Sequence, residues 1–176
     1  VFIGHEAGTA LTTGDNNTAI GYKALDANTT GSNSVSIGHG SLGNNTTGGS
    51  LVAIGQGSMS ANTEGEFNVA VGRDSQAANT TGSRNTSLGY NSLSSSTTAN
   101  NNTAIGEGAL GNNTANGNTA VGRSAASSNT SASAITAIGK EALAANTTGN
   151  FNTAVGNEAM VDNTTGYQNV AVGASA

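Results

Sequence analysis

The stretch Asn17–Gly31, NTAIGYKALDANTTG, contains nearly every feature that determines the fold of this 176-residue chain. An alanine lies between two β-branched residues, a glycine follows, a leucine comes four residues later, and an Asn-Thr-Thr-Gly turn ends the unit. The same unit recurs along the whole chain, and no linker interrupts it. Residues 1–176 are therefore predicted to be a single repeat array.

The glycine after the β-branched pair, which we call the repeat glycine, sets the period. Eleven repeat glycines lie 17 residues apart, with one interval of 16: Gly4, Gly21, Gly38, Gly55, Gly72, Gly89, Gly106, Gly122, Gly139, Gly156 and Gly173. We expect the missing residue near Asn116-Gly117, in a loop. The glycine itself indicates a positive φ or a close backbone approach at a corner.

Apolar residues recur at fixed distances from the repeat glycine. The preceding residue is Ile, Val or Leu, and the residue two before that is Val or Thr, a spacing typical of one face of a β-strand. Four residues after the glycine comes what we call the leucine column: Leu25, Leu42, Met59, Gln76, Leu93, Leu110, Ala126, Leu143 and Met160. We predict two short strands per coil, with these positions pointing inward.

This pattern predicts an all-β fold, a parallel β-solenoid (β-roll) of about eleven 17-residue coils. A helical alternative is excluded, because a helix of about ten residues does not fit between the apolar positions and the Asn-Thr turn.

The turn contains a threonine in every complete unit, usually preceded by asparagine. A polar residue repeated this strictly predicts a ladder, in which each copy bonds to the next coil. The threonines are Thr12, Thr29, Thr46, Thr63, Thr80, Thr97, Thr114, Thr130, Thr147 and Thr164. Asn-Thr-Thr also matches a glycosylation acceptor, a match we attribute to the turn.

The residue two before the repeat glycine forms what we call the alanine column: Ala19, Ser36, Ala53, Ala70, Ser87, Ala104, Ala120, Ala137, Ala154 and Ala171. On a strand this column faces away from the Ile and Val positions. An outward column restricted to Ala or Ser is explained if parallel chains pack there, most simply as a homotrimer. The alternative is that Ala fills a crowded coil interior.

The composition narrows the function classes. The chain contains 26 Gly and no Pro, Cys or Trp; 9% of its residues are charged, and the net charge is −5. Large aliphatic side chains are too scarce for the thick core of an ordinary domain. Five Lys and Arg residues are too few for a nucleic-acid surface. The sequence contains no run of about 18 apolar residues, so we predict no membrane insertion. The lack of Cys excludes disulfides and Cys-based zinc sites.

No side-chain pattern indicates catalysis, so we predict no enzyme, no cofactor, and no catalytic or metal-binding residues. His5 and His39 follow repeat glycines two coils apart, which puts their rings about 10 Å apart, too far to share a metal. The carboxylates at the next variable position lack the pairing needed for acid–base work: Glu6, Asp74, Glu141 and Glu158. Aromatic residues at variable positions are interpreted as incidental: Tyr22, Phe67, Tyr90 and Phe151.

The N-[ST]-[VT]-A-[IV]-G-x-x-[AS] core resembles the head repeat of trimeric autotransporter adhesins of the YadA type. The longer unit in Asn17–Gly31 resembles even more closely the repeats of bacteriophage long tail-fibre proteins. The resemblance covers nearly the whole chain and implies a homotrimeric fibre at a cell or virion surface. The adhesin head repeat is shorter than 17 residues, so the Asn-Thr-Thr-Gly turn is an addition.

We therefore expect the structural shaft of an extracellular, trimeric surface fibre that presents a distal binding tip. The expected partner is the chain itself, as a homotrimer. A host-cell surface glycan or protein is a second class of partner that a surface fibre could bind. Alternatives are adhesion by the solenoid wall and end-to-end assembly into filaments. Ice binding is disfavoured, because such faces carry Thr on strands and the recurring Thr lies in a turn.

Overall fold

The computed structural model describes residues 1–176 and contains a single sheet of eleven parallel strands, stacked in sequence order. Each strand lies opposite the same residues of the next coil, as in the pairing of Ala53 with Ala70. The strands are β1 Phe2–Ile3, β2 Thr18–Ile20, β3 Val35–Ile37, β4 Val52–Ile54, β5 Val69–Val71, β6 Thr86–Leu88, β7 Thr103–Ile105, β8 Thr119–Val121, β9 Thr136–Ile138, β10 Thr153–Val155 and β11 Val170–Val172. The predicted β-solenoid is confirmed, with about ten complete turns.

Each coil contains one strand, not two. The strand has three residues in every coil after the first, and turns make up the rest. The leucine column, which we expected on a second strand, has left-handed backbone conformations, with φ of 55° at Leu25 and 50° at Leu42. A strand requires a strongly negative φ. These residues are buried as predicted, but they help to turn the chain rather than extend it.

The repeat glycine behaves as predicted. Its φ is 132° at Gly21 and 130° at Gly38, a region that is rare for any other residue. A Cβ atom at Gly38 would lie 2.6 Å from the carbonyl oxygen of Gly55, one coil away. Only glycine meets both conditions, because it alone combines this backbone conformation with the close approach of the next coil.

The alanine column lies inside the coil, which contradicts our prediction that it faces outward. Its members from Ala19 to Ala154 are fully buried, Ser36 and Ser87 included. The β-branched residues on either side, such as Val52 and Ile54, point away from the interior and remain partly exposed. The reason is space: the leucine column already fills the interior opposite the strand, so that only small side chains fit between them.

The asparagines of the turn form a ladder inside the coil. Asn45 donates from Nδ2 to Asn28 Oδ1 at 2.9 Å and to the Gly48 carbonyl at 2.9 Å. Asn62 repeats the pattern, with 2.7 Å to Asn45 Oδ1. We call this set the asparagine ladder: Asn28, Asn45, Asn62, Asn79, Asn113, Asn129, Asn146 and Asn163. Because these amides are engaged and mostly buried, the glycosylation pattern is a by-product of the turn.

The threonines also form the predicted ladder, although their hydroxyls bond to main chain. Thr46 Oγ1 donates to the Thr63 carbonyl at 3.0 Å, and Thr29 Oγ1 donates to the Thr46 carbonyl at 3.0 Å. The backbone N–H of Thr46 donates to the same Thr63 carbonyl at 3.0 Å. Side chain and backbone together thus tie these corners to the next coil, and the corner at Thr97 is an exception.

A second column of buried asparagines precedes the strands, and sequence reasoning assigned it no role. Asn68 Oδ1 accepts from the backbone N–H of Asn85 at 2.9 Å, and Asn68 Nδ2 donates to the Gly82 carbonyl at 2.7 Å. Asn85 makes the corresponding bonds to Asn102 and Ala99. These amides satisfy backbone groups that the short strands leave unpaired.

The 16-residue coil loses its residue in the loop, as predicted. Asn113 Nδ2 donates to the carbonyl of Ala115 at 2.7 Å, where other coils use a glycine one residue further along. The strands on either side are again in register, with Ala104 opposite Ala120. The deletion therefore changes one corner and leaves the sheet intact.

Replacing Gly38 by Ala should destabilise the solenoid by at least about 3 kcal/mol, because the new Cβ would overlap the Gly55 carbonyl at an unfavourable φ. Gly40→Ala is the matched control: Gly40 has a φ of 65°, and no atom lies within 4 Å of its Cβ position. Its cost should be about 1 kcal/mol. Urea denaturation measures both, and equal midpoints would contradict the role of the repeat glycine.

Asn62→Ala should lower the free energy of unfolding by about 2–4 kcal/mol, because Asn45 Oδ1 and the Gly65 carbonyl each lose a buried donor. Asn44→Ala removes an exposed amide that donates to Ser60 at 2.8 Å, and it should cost less than about 1 kcal/mol. Thermal unfolding of the two variants compares an interior rung with a surface contact. A similar loss for both would count against the ladder.

Candidate interaction surface

The outward side of the sheet carries two parallel columns of side chains, which we call the outer face. One column consists only of Val and Thr: Val1, Thr18, Val35, Val52, Val69, Thr86, Thr103, Thr119, Thr136, Thr153 and Val170. The other consists only of Ile, Val and Leu: Ile3, Ile20, Ile37, Ile54, Val71, Leu88, Ile105, Val121, Ile138, Val155 and Val172. These side chains are half-buried by their neighbours or exposed, as with Leu88 at 48%.

The outer face is long and free of charged side chains. Successive coils are about 4.8 Å apart and the two columns about 7 Å apart, so eleven rungs extend over roughly 48 Å. A sheet face in contact with water normally carries polar side chains in alternation with buried apolar ones. A continuous, uncharged, largely aliphatic face of this length is characteristic of an interaction surface.

A stack of aromatic rings follows the repeat glycines of the first coils. The rings of His5 and Tyr22 lie 5.7 Å apart between centroids, and those of Tyr22 and His39 lie 5.2 Å apart, both pairs stacked. Tyr22 therefore separates the two histidines. No group of three or more His, Cys, Asp or Glu side chains in the structure could hold a metal ion.

Two of the other exposed rings are also covered on one face, each by an arginine. Arg73 lies 5.0 Å above the ring of Tyr90, and Arg84 lies 5.5 Å above the ring of Phe67. Phe151, which occupies the same repeat position as Phe67, is 61% exposed and has no such cover. Because a sugar stacks on a ring face, these cations and ring neighbours reduce the wall's capacity for carbohydrate contact.

The charged side chains form exposed ion pairs between neighbouring coils. Lys23 lies 3.4 Å from Glu6, and Arg123 lies 2.6 Å from Glu141. A hydrogen bond to Glu6, reinforced by its charge, raises the pKa of Lys23. These carboxylates are paired with cations rather than with each other, and such exposed pairs contribute little to stability.

A surface depression lies at the C-terminal end of the solenoid. It is lined by Met160, Asn163, Asn169, Val170 and Ala171, among others. The positions that correspond to Met160, Asn163, Asn169 and Ala171 are buried in the preceding coil, which has a following coil, so the depression is the uncovered end of the last coil. The structure contains no helix long and apolar enough to cross a bilayer.

Comparison of the chain with protein-family models, with curated proteins and with solved structures finds no match in any of the three. The resemblance to fibre and adhesin repeats therefore depends on the repeat unit itself, and what the chain does must be inferred from its own surface.

The orientation of the strand can be tested by substitutions at neighbouring positions. Ala53→Val should cost about 1–3 kcal/mol, because the added methyl groups enter a filled interior. Val52→Thr should change the free energy of unfolding by less than about 0.5 kcal/mol, since Thr occupies the same column in other coils. Chemical denaturation compares the two. A larger loss for Val52→Thr would reverse the assigned faces.

Proposed function

We propose that this chain is the structural shaft of a homotrimeric surface fibre, of the phage tail-fibre or adhesin-like kind, which holds a distal binding tip away from a cell or virion. The observation that carries the proposal is the outer face: two uncharged columns that continue through all eleven coils. A face of this kind is stabilised when another surface covers it.

Copies of the same chain are the partner that fits this face. Every copy has the same rung spacing, so parallel chains can match Val with Val and Thr with Thr along their whole length. A face about 48 Å long and about 11 Å wide provides roughly 500 Å² per chain, or about 1,000 Å² for a pair, near the lower limit for a stable interface. Three chains around an axis contribute three such faces, or roughly 1,500 Å² in total, with the face of each chain shared between two neighbours.

The contacts between coils support a mechanical role. The chain makes 119 backbone hydrogen bonds, and the corners are tied by both Asn and Thr ladders. Such a coil-to-coil network resists bending and local unfolding, which suits a rigid spacer. A shaft acts through length and stiffness, so this function needs neither a cofactor nor a catalytic residue. The fibre resemblance supports an extracellular location.

The natural chain should have a solution mass of about 51 kDa by light scattering, three times the 17.0 kDa of one chain. Ile54→Glu places a charge in the outer face and should give a folded monomer of unchanged circular dichroism. Gln56→Glu is the matched control: it introduces the same carboxylate two residues away, at an exposed variable position, and should remain trimeric.

A natural chain that is monomeric at micromolar concentration would overturn the trimer. If instead Ile54→Glu and Gln56→Glu both remained trimeric, the chains would assemble through a different surface. If Ile54→Glu loses its folded structure, its circular dichroism spectrum will show the loss. The test then uses Val52→Lys, which places a charge on the other outer column and should also give a folded monomer.

Ice binding is a second candidate function for the outer face. The threonines of the turn do not suit ice binding, but a different set lies on strands and points outward: Thr86, Thr103, Thr119, Thr136 and Thr153. Five such rungs in succession form a regular hydroxyl and methyl array. Thermal hysteresis by a monomeric chain would support ice binding, and a trimer without thermal hysteresis would exclude it.

A further inference from the structure

The interior of the solenoid is not continuous. One apolar cluster extends from Ala19 to Ala70 and a second from Leu93 to Ala159. Between them lies a set of four fully buried polar residues, which we call the polar layer: Ser75, Gln76, Ser87 and Ser92. Because apolar burial is what holds successive coils together, the polar layer separates two blocks of core.

The polar layer is only partly satisfied. Gln76 Nε2 donates to the Val69 carbonyl at 2.9 Å and to Ser87 Oγ at 2.8 Å. Ser75 Oγ lies 2.5 Å from Ser87 Oγ and 3.0 Å from Ser92 Oγ. Gln76 Oε1 is buried without a partner, in a column where the other coils have Leu, Met or Ala. An unpaired buried acceptor destabilises the coil that contains it.

The ladders are interrupted in the next coil. Ser96 stands where the asparagine ladder requires Asn, so that Asn79 Oδ1 and Ser96 Oγ are both buried without a partner. The corner bonds are also lost: Thr80 N–H donates to the Thr97 carbonyl at 2.8 Å, but no hydrogen bond joins Thr97 to Thr114. The cause is the following 16-residue coil, whose shortened loop follows Thr114 directly.

We propose that residues 73–117 form a built-in weak zone that divides the solenoid into two cooperative units and opens before either unit does. The interior defect and the corner defect lie in successive coils, so they weaken the same contacts from two sides. This goes beyond the shaft function, because a uniform rod has no preferred point of yielding. A uniform repeat array opens from its ends, whereas this one opens in the middle.

Amide hydrogen exchange of the natural chain tests the proposal with matched reporters. In the leucine column each backbone N–H donates to the next coil at about the same distance: 3.0 Å for Leu42, Gln76, Leu93, Leu110 and Leu143. Leu42 and Leu143 donate to Ser58 and Ala159, so both groups of each bond lie outside residues 73–117. Differences in exchange between these amides therefore report coil opening rather than local hydrogen-bond geometry. The comparison lies within one chain, so it holds whether the chain is monomeric or trimeric.

We expect the amides of Gln76 and Leu93 to exchange at least about tenfold faster than those of Leu42 and Leu143. The double variant Gln76→Leu/Ser96→Asn restores residues that other coils contain, and it should slow both amides to the rate of Leu42. Gln56→Leu makes the same chemical change at an exposed position and should leave the pattern unchanged.

Exchange of Gln76 and Leu93 within about threefold of Leu42 and Leu143 in the natural chain would overturn the weak zone. The proposal also fails if the double variant is folded but both amides still exchange fast. If the double variant does not fold, the test uses the natural chain alone. Its amide exchange rates are then combined with urea unfolding followed at both ends of the solenoid. One transition with uniform protection then contradicts two units.

Discussion

The bonding of each coil to its successor is the constraint on which the rest of this structure depends. Backbone donors find their acceptors about one repeat away, as when Leu25 N–H donates to Ser41 at 3.0 Å and Thr29 N–H donates to Thr46 at 2.9 Å. The leucine column holds left-handed conformations that cost about 1 kcal/mol per residue in isolation. Such a backbone persists only because the neighbouring coils fix it, so a single coil has no stable structure of its own.

The period of the sequence predicts much of this fold, because a stacked array requires equivalent residues to meet. The repeat glycine, the ladders at the turn and the position of the missing residue near Asn116 all follow from it. The absence of a second strand in each coil does not follow from the period. Leu25 and its equivalents have no side-chain feature that favours positive φ, and their conformation results from closing a 17-residue coil rather than from local preference.

The candidate surface was harder to predict than the fold. Alternation along Thr18-Ala19-Ile20 shows which side chains share a face, but it does not show which face is inside. The usual expectation places Ile inside, and it fails here because the coil is too narrow for an aliphatic side chain on both walls. The restriction of a column to Ala and Ser therefore indicates a crowded interior. The two uncharged columns on either side of it form the exposed surface. The second asparagine column gave only its recurrence before seven of the eleven strands as a signal.

The short coil has a consequence for how such arrays change in evolution. One residue is absent between Thr114 and Gly117, yet Thr103 and Thr119 pair in register on either side. The deletion at this corner therefore leaves the strand register unchanged, while duplication of a whole unit adds a fixed increment of length. The length of the molecule is therefore set by the number of its repeat units, and the sequences of its corners can diversify without changing that length.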